Sequence, residues 1–210
     1  AASDVYKRQT RDETFARVSQ KARLHAKHNP RAIFRDEVSI EEVLSSPSMH
    51  GVLTRLQCCP PTCGAAAALL TSEKFAKKHG LRSDVKITGQ SMTTDFPSSF
   101  EGKTMMQIVG SDMSQAAAND LYERTGIGPD DVDVVELHDC FTSNEIITYE
   151  ALQLTEEGGS EQFVSDGDNT YGGKVVVNPS GGLLSKGHPL GATGPVSYTH
   201  LRAHETKSYL

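Results

Sequence analysis

The chain has 210 residues, of which 37% are hydrophobic and 23% are charged, a balance typical of a globular protein. Its formal net charge of -6, scattered basic residues and lack of tryptophan give no sign of a nucleic-acid groove. No apolar run approaches the roughly 20 residues of a membrane span, and no stretch near the N-terminus has the order of a signal peptide.

The four cysteines are too few and too unevenly spaced for a disulfide scaffold; they are Cys58, Cys59, Cys63 and Cys140. Adjacent cysteines also bridge poorly, because a disulfide needs a defined Cα separation and orientation. Free thiols in a reducing compartment are therefore expected. No metal site is expected, since no second Cys or His pair lies near the first three cysteines.

The first 94 residues show helix and strand signals in turn. Thr10 followed by Glu13 predicts a capping box for a helix that ends before Pro30. Ser39 with Glu42 predicts a second capped helix in the same way. Strands are predicted over 52–57, 64–70 and 84–92. The strand over 64–70 is a run of small residues and is predicted to be buried.

A further helix and a boundary complete this part of the chain. Thr71 or Ser72 predicts the start of a helix that Gly80 ends. The polar stretch Asp95–Glu101 predicts a linker between two subdomains.

Past this linker, the pattern of alternating elements continues. A helix is predicted over Ser111–Thr125, with Gly126 as its stop. Its inward residues are predicted to be Met113, Ala116, Ala117 and Leu121. Thr142 with Glu145 predicts a capped helix to about residue 154. Strands are predicted over 132–137 and 175–177, with a glycine-rich acidic loop over 156–173 between the helix and the second strand. This alternation favours an α/β fold.

The glycine-rich loop of residues 178–194 is the first candidate for chemistry. His188 lies between Gly187 and Pro189, so its backbone is extended and its imidazole has a stiff neighbour. The Gly191–Gly194 segment predicts a helix start, whose free N–H groups favour developing negative charge. His188 is thus a candidate general base or oxyanion donor. A structural turn whose histidine only binds a carbonyl group fits the local sequence as well.

The second candidate is the segment His138-Asp139-Cys140-Phe141, where a predicted strand ends and a helix begins. Ligands of open α/β sheets bind outside the carboxyl ends of strands. A cysteine beside a histidine and near a helix N-terminus can have a lowered pKa, which makes the thiolate accessible. An inert buried cysteine with a satisfied histidine is the alternative. Two such loops in one small region favour the functional interpretation.

These residues resemble a known family. The segments 178–182 and 187–194 are similar to the catalytic-histidine loop of thiolases. His138-Asp139-Cys140-Phe141 resembles the corresponding motif of the sterol carrier protein x type, the peroxisomal 3-oxoacyl-CoA thiolases. Other segments agree with the same family over roughly residues 10–194, namely 56–60, 64–68, 131–137 and 167–173.

The resemblance implies a thiolase fold, in which two similar halves form five αβαβα layers. On this basis, residues 10–94 are the end of the first half with its loop region, and residues 95–194 are a truncated second half. Residues 1–9 and 195–210 do not match the family pattern, and we expect both segments to be non-native.

The resemblance also implies roles for single residues. His188 would activate the nucleophilic cysteine and help to bind the thioester oxyanion, His138 would assist it, and Cys140 would be the acid/base thiol. Expected substrate-binding residues are Asn178, Gly181, Gly182, Gly187 and Gly191. The implied reaction cleaves a 3-oxoacyl-CoA with free CoA as co-substrate, and no cofactor is expected. The Cys-Ser-type nucleophile motif of the family is absent from this sequence, so we expect the 210 residues alone to be inactive.

Two other functions remain open at this stage. The first is a non-catalytic acyl-CoA-binding or lipid-transfer protein on a thiolase scaffold, and the second is a condensing enzyme of the same superfamily. A homodimer and a peroxisomal location are implied by the resemblance only. The final Ser208-Tyr209-Leu210 differs from the Ser-Lys-Leu signal of peroxisomal proteins.

Overall fold

The computed structural model describes residues 10–82, 84–101 and 104–198. The helices are α1 (Asp12–Ala26), α2 (Ile40–Ser45), α3 (Glu73–His79), α4 (Pro97–Glu101), α5 (Met105–Ile108), α6 (Ser111–Thr125), α7 (Thr142–Ala151), α8 (Ser160–Ser165) and α9 (Gly182–Lys186). Single 3-10 turns lie at Arg55–Gln57 and Pro129–Asp131. The strands are β1 (Ser48–His50), β2 (Leu53–Thr54), β3 (Val134–Val135) and β4 (Val176–Val177). Residues 193–198 are also helical.

A parallel strand pair positions the two candidate loops. In this pair, Val134 of β3 faces Val176 of β4, and Val135 faces Val177. Because parallel strands end at the same edge, the segment 138–141 after β3 and the loop 178–194 after β4 begin side by side. The predicted α/β class is confirmed. The other pair, β1 with β2, is antiparallel and lies apart from this edge in a sheet of its own.

The hydrophobic core lies between α1 and the second half of the chain. Phe15, Val18 and Ala22 of α1 are completely buried and belong to the same apolar cluster as Ile146 and Tyr149 of α7. The cluster also includes residues of α5, α7, α8, α9 and β4 and of the segments next to them: Met106, Leu137, Ile147, Leu154, Phe163, Val164, Val175, Val177 and Leu184. The helix of the predicted first half therefore packs directly against the elements that carry the site.

A buried polar network joins α1 to α7. The ammonium group of Lys21 forms an ion pair with the carboxylate of Glu145, and the hydroxyl of Tyr149 donates a hydrogen bond to the same carboxylate. The amide of Asn178 donates to the other oxygen of Glu145 at 3.0 Å. The side chains of Lys21 and Glu145 are 6% and 0% exposed, so water solvates neither charge. Each charge is therefore stabilised mainly by the other.

His25 extends this network towards the end of β4. Its Nδ1–H donates to the carbonyl oxygen of Asn178 at 3.0 Å, and its Nε2 accepts from the hydroxyl of Thr170 at 2.7 Å. Burial, followed by the charge of Lys21, lowers the pKa of His25 to about 4. The imidazole is therefore neutral at neutral pH, which matches one donated and one accepted bond.

Several elements are confirmed where the signal is local. The helix Ser111–Thr125 has the predicted bounds and ends at Gly126, which has φ +71°. The capping box of Ser39 and Glu42 is present. The helix after Ser72 ends at Gly80, as predicted. In each case, the deciding contacts are within a few residues along the chain.

Other predicted caps are wrong. Helix α1 begins at Asp12 with Arg11 as its N-cap, and Glu13 pairs with Arg17 at 2.5 Å instead of completing a box with Thr10. Phe141, not Thr142, is the N-cap of α7, because Glu145 is occupied by Lys21. This helix also ends at Ala151, before the predicted end near residue 154.

The predicted strands were mostly too long. Residues 64–70 and 84–92 have no regular structure, and the side chains of Leu69, Leu70 and Ile87 are 84%, 63% and 57% exposed. A strand needs a partner for its backbone groups, and none of the described residues pairs with these segments. The predicted strand 52–57 is β2 followed by a 3-10 turn.

Three smaller expectations are also corrected. The predicted linker Asp95–Glu101 contains α4, and the predicted loop 156–173 contains α8. On α6 only Ala118 is fully buried, while the four predicted inward residues are half-buried. The division into residues 10–94 and 95–194 remains a prediction. Residues 1–9 and 199–210 lie outside the described residues.

We predict that Lys21→Met lowers the free energy of unfolding by roughly 3 kcal/mol, because it leaves the Glu145 carboxylate buried without its cation. The matched control is Lys27→Met, which removes an exposed ion pair with Glu37 at 2.6 Å and should cost less than about 1 kcal/mol. Urea unfolding of the three proteins measures both values. Equal losses for the two variants would contradict the role of the buried pair.

Candidate functional site

The side chains of the two candidate loops meet at the carboxyl edge of the parallel strands. The rings of His138 and His188 lie edge to face, with their centroids 4.9 Å apart. Cys140 follows His138 by two residues and is half-buried. The structure therefore brings the rings of His138 and His188 together, and Cys140 lies in the same short segment as His138.

A third segment, residues 58–61, contacts both candidate loops. Cys58 forms an antiparallel backbone bridge with Phe141, and Pro61 forms a parallel bridge with His188. The N–H of Cys59 donates to the carbonyl oxygen of Cys140 at 2.9 Å. Residues 58–61 thus connect both candidate loops through their backbones. The two prolines at 60 and 61 were the only signal for an irregular, extended segment here.

Asp139 joins the loops from inside the protein. Its carboxylate is completely buried and accepts hydrogen bonds from the N–H groups of Leu183 at 2.7 Å and of Leu184 at 3.5 Å, in the first turn of α9. Gly182 lies against this carboxylate with φ +60°, and a Cβ atom at that position would overlap Asp139. The sequence pattern gave no role to Asp139, although a carboxylate is a suitable acceptor for free N–H groups at a helix start.

The hydrogen bonds of His188 define its tautomer. Its Nδ1 lies 2.8 Å from the hydroxyl oxygen of Thr193, and that hydroxyl donates to the carbonyl oxygen of Pro189 at 3.1 Å. Because the hydroxyl proton is already used, Nδ1 carries the hydrogen and donates it to Thr193. The Nε2 atom of His188 therefore has a free lone pair and can accept a proton.

Both histidines are neutral at neutral pH. Burial, followed by the charge of Lys186, lowers the pKa of His188. Burial, followed by proximity to His188, lowers the pKa of His138. Neutral imidazoles suit a site in which one ring accepts a proton and the other donates a hydrogen bond.

The expected lowered pKa of Cys140 is wrong. Burial, followed by proximity to Cys59 and Asp139, raises the pKa of this thiol to about 11. The nearby helix start does not compensate for the lost hydration of a thiolate. Cys140 is therefore a protonated thiol at neutral pH and can donate a proton before it accepts one.

A buried ion pair supports the end of α9. The ammonium group of Lys186 binds the carboxylate of Glu136 and the hydroxyl of Ser197 at 3.0 and 2.9 Å. Ser180 donates to both oxygens of Glu136, at 2.9 Å from its N–H and 2.8 Å from its hydroxyl. This cluster fixes the two ends of the loop that carries His188.

The predicted substrate-binding residues divide into two groups. Asn178 is completely buried; its side chain binds Leu137 and Glu145, and its backbone adopts φ +53°. Gly181 and Gly182 are also buried, against Ala26 and Asp139 respectively. These three positions shape the loop from beneath, and substrate contact at them stays a prediction.

The other two glycines differ in exposure. Gly187 is buried against Ile33 and Thr62, immediately before His188, whereas Gly191 is exposed and has no neighbour where a Cβ atom would lie. Of the five predicted positions, Gly191 is the one that is open to a ligand.

Within the part of the chain that the structure describes, no group of three or more His, Cys, Asp or Glu side chains is placed to hold a metal ion. All four cysteines are free thiols, as the sequence predicted. No described helix combines the length and the apolar character needed to cross a membrane.

The geometry can now be compared with known proteins. Residues 99–199 match the family model described as Thiolase C-terminal domain-like. This stretch is similar to the C-terminal domain of thiolases. It includes β3, β4 and both candidate loops, so the resemblance stated from the sequence is confirmed.

Similar proteins extend the match towards the N-terminus. Sterol carrier protein 2 of Rattus norvegicus is 55% identical over 186 residues, which cover 88% of this chain and 34% of the relative. A benzoylsuccinyl-CoA thiolase subunit of Thauera aromatica is 43% identical over 182 residues, which cover 87% of this chain and 46% of the relative. The chain thus spans about a third of the length of the sterol carrier relative.

A solved structure described as Ltp2-ChsH2(DUF35) aldolase has the same fold, with a TM-score of 0.72 at 22% identity. It covers 91% of this chain, which spans 50% of the solved chain. The chain is therefore similar in sequence to thiolases and to sterol carrier protein 2, and similar in fold to this solved structure. The five layers of the complete fold remain a prediction, because the described residues form two two-stranded sheets.

We predict that Asp139 makes stability depend on pH. Burial, followed by the charge of Glu145, raises the pKa of Asp139 to about 7 in the folded protein, above the value of about 4 in an unfolded chain. The folded protein binds the proton of Asp139 more tightly than the unfolded chain does. The stability gained from this proton is therefore complete below about pH 4 and is lost as the pH rises through about 7. Relative to Asp139→Asn, the wild-type protein should lose up to about 4 kcal/mol over this range.

Urea unfolding across this pH range measures the effect for the wild-type protein and the Asp139→Asn variant. The exposed Asp95→Asn is the matched control and should follow the wild-type curve. A constant difference between the wild-type protein and Asp139→Asn at all pH values would show that Asp139 is not a proton-binding group in the fold.

Proposed function

We propose that the complete protein containing this chain is an acyltransferase that cleaves a 3-oxoacyl-CoA with free CoA, giving a shortened acyl-CoA and acetyl- or propanoyl-CoA. The observation that carries this proposal is the contact between the rings of His138 and His188, with Cys140 two residues after His138 in the same segment. Breaking a bond next to a thioester requires a base, an acid and donors to the carbonyl oxygen. These three side chains provide such groups at one sheet edge.

His188 is proposed as the base. Its Nε2 lone pair is free because Nδ1–H is bound to Thr193, so it can take the proton of a nucleophilic thiol. After this transfer, the ring is an imidazolium whose Nε2–H can donate to the developing oxyanion. The Thr193 hydroxyl keeps the ring in one orientation throughout.

Cys140 is proposed as the acid of the cleavage step. When the bond between the α-carbon and the 3-oxo carbon breaks, the thioester fragment leaves as an enolate that needs a proton. A thiol with a pKa raised to about 11 holds that proton at neutral pH and can deliver it. In the second half of the reaction, the thiolate can take a proton from the incoming CoA thiol.

His138 is proposed as a donor to the thioester oxygen. Its ring stands edge-on to His188, so a carbonyl oxygen between the loops could reach both imidazoles. The amide of Asn144 donates to the backbone carbonyl of His138 at 2.9 Å and holds this residue at the start of α7.

The covalent step needs a nucleophilic cysteine that is not assigned within the 210 residues. Cys58 and Cys59 have raised pKa values, both primarily because of burial, which does not favour an attacking thiolate. We propose that a cysteine elsewhere in the complete protein supplies the nucleophile, and that the 210 residues alone do not turn over substrate.

The biological setting follows the same family. We propose peroxisomal β-oxidation of fatty-acid or sterol side chains, with a homodimer as the active species and no bound cofactor. The similarity to sterol carrier protein 2, whose name connects that relative with sterols, supports a lipid substrate.

We predict that His188→Ala in the complete protein lowers kcat/KM for thiolysis by at least about 100-fold, because the base is lost. His138→Ala should lower it by about 100-fold through loss of an oxyanion donor. Cys140→Ser should lower kcat more than it raises KM. The loss of the 3-oxoacyl-CoA enolate absorbance with added CoA measures all three.

Two substitutions of side chains that have no role in the proposed chemistry serve as controls. His50→Ala lies on the exposed strand β1, and Cys58→Ser removes a thiol that points to the carbonyl oxygen of Thr54 at 3.5 Å. Both should keep the wild-type rate. Tight binding of acyl-CoA without any turnover by the complete protein would instead favour the non-catalytic lipid-binding alternative.

A further inference from the structure

Two thiols of the site face each other across a backbone bridge. Cys58 and Phe141 are antiparallel partners, so the next residues, Cys59 and Cys140, are also opposite each other. The hydrogen bond from the N–H of Cys59 to the carbonyl oxygen of Cys140, at 2.9 Å, confirms this register. Opposite residues of an antiparallel pair project to the same face.

This register gives the backbone separation that a disulfide needs. Opposite residues of a hydrogen-bonded antiparallel pair have Cα atoms about 5.5 Å apart, within the range of about 4.4–6.8 Å seen in disulfides. Side-chain rotation, with an approach of the two Cβ atoms by roughly 1–2 Å, joins the sulfur atoms. Both residues are half-buried, so a small oxidant can reach them.

The other two cysteines are placed differently. Cys58 projects to the opposite face, and its thiol donates to the carbonyl oxygen of Thr54 at 3.5 Å. Cys63 is exposed and lies two residues beyond the Pro61 bridge to His188. Among the four cysteines, Cys59 is therefore the partner that faces Cys140.

We propose that Cys59 and Cys140 form a reversible disulfide when a low-molecular-weight disulfide, such as oxidised glutathione, is present. One cysteine, as its thiolate, attacks the oxidant and releases one glutathione, which leaves a mixed disulfide. The second cysteine then displaces the other glutathione. The two protein thiols lose two protons and two electrons, and the oxidant leaves as two thiols.

The disulfide bond would replace the S–H bond of Cys140, so this residue would have no proton to donate. If Cys140 is the acid of the proposed thiolysis, oxidation stops turnover and a dithiol reductant restores it; this consequence alone rests on the proposed function. Burial raises the pKa of both thiols, so a minor thiolate fraction reacts at neutral pH. The disulfide thus responds to sustained oxidising conditions rather than to a brief exposure.

Peptide mapping of the 210-residue chain tests the disulfide without any activity assay. The folded chain is incubated with oxidised glutathione, free thiols are blocked with an alkylating agent, and a non-reduced tryptic digest is examined by mass spectrometry. Trypsin places Cys59 in residues 56–74, together with Cys58 and Cys63, and Cys140 in residues 125–174. A cross-link therefore joins these two peptides.

Variants assign the partner within the first peptide. The double variant Cys58→Ser/Cys63→Ser should keep the cross-link, whereas Cys59→Ser and Cys59→Ala should each reduce it at least tenfold. A cross-link that survives in both Cys59 variants, or Cys140 that remains fully alkylated in the wild-type chain after oxidation, overturns the proposal. Loss of turnover on oxidation is measured separately in the complete protein, so failure of the thiolysis proposal leaves the mapping result unaffected.

Discussion

The carboxylate of Asp139 accepts the N–H groups of Leu183 and Leu184 at the start of α9, from a position with no access to solvent. This contact ties the loop after β3 to the loop after β4. His138 and Cys140 flank the carboxylate in the chain, and α9 leads directly to His188. Gly182 is required beside it, because any Cβ atom there would overlap the carboxylate. The meeting of the two histidine rings is therefore a consequence of one buried interaction and the parallel strands that precede it.

Two buried charge clusters hold this junction from either side. Lys21 and Glu145 connect α1 to α7, and the amide of Asn178 joins them to the end of β4. Lys186 and Glu136 fix the far end of α9. Both ion pairs are almost completely buried, so each leaves a costly charge if one partner is removed. The site is thus positioned mainly by buried polar contacts between distant parts of the chain, with the apolar cluster beneath them.

The sequence predicted what depends on neighbours along the chain and missed what depends on distant partners. Helix Ser111–Thr125 was predicted correctly, because Gly126 provides a local stop. The cap at Thr142 failed, because Glu145 binds Lys21, 124 residues away. The thiolase motifs located His138, Cys140 and His188 through resemblance. They could not show that the side chain of Asn178 is buried and hydrogen-bonded within the protein. Nor could they show that burial keeps Cys140 protonated, or that residues 58–61 join the two loops.

We propose that the thioester binds in the space between the two histidine loops. A crystal structure of the complete protein with a CoA thioester bound tests this assignment most directly. We expect the thioester oxygen within about 3 Å of a ring nitrogen of His138 or His188, with the α-carbon beside the sulfur of Cys140. A thioester bound elsewhere, with these three side chains free of contact to it, would contradict the account.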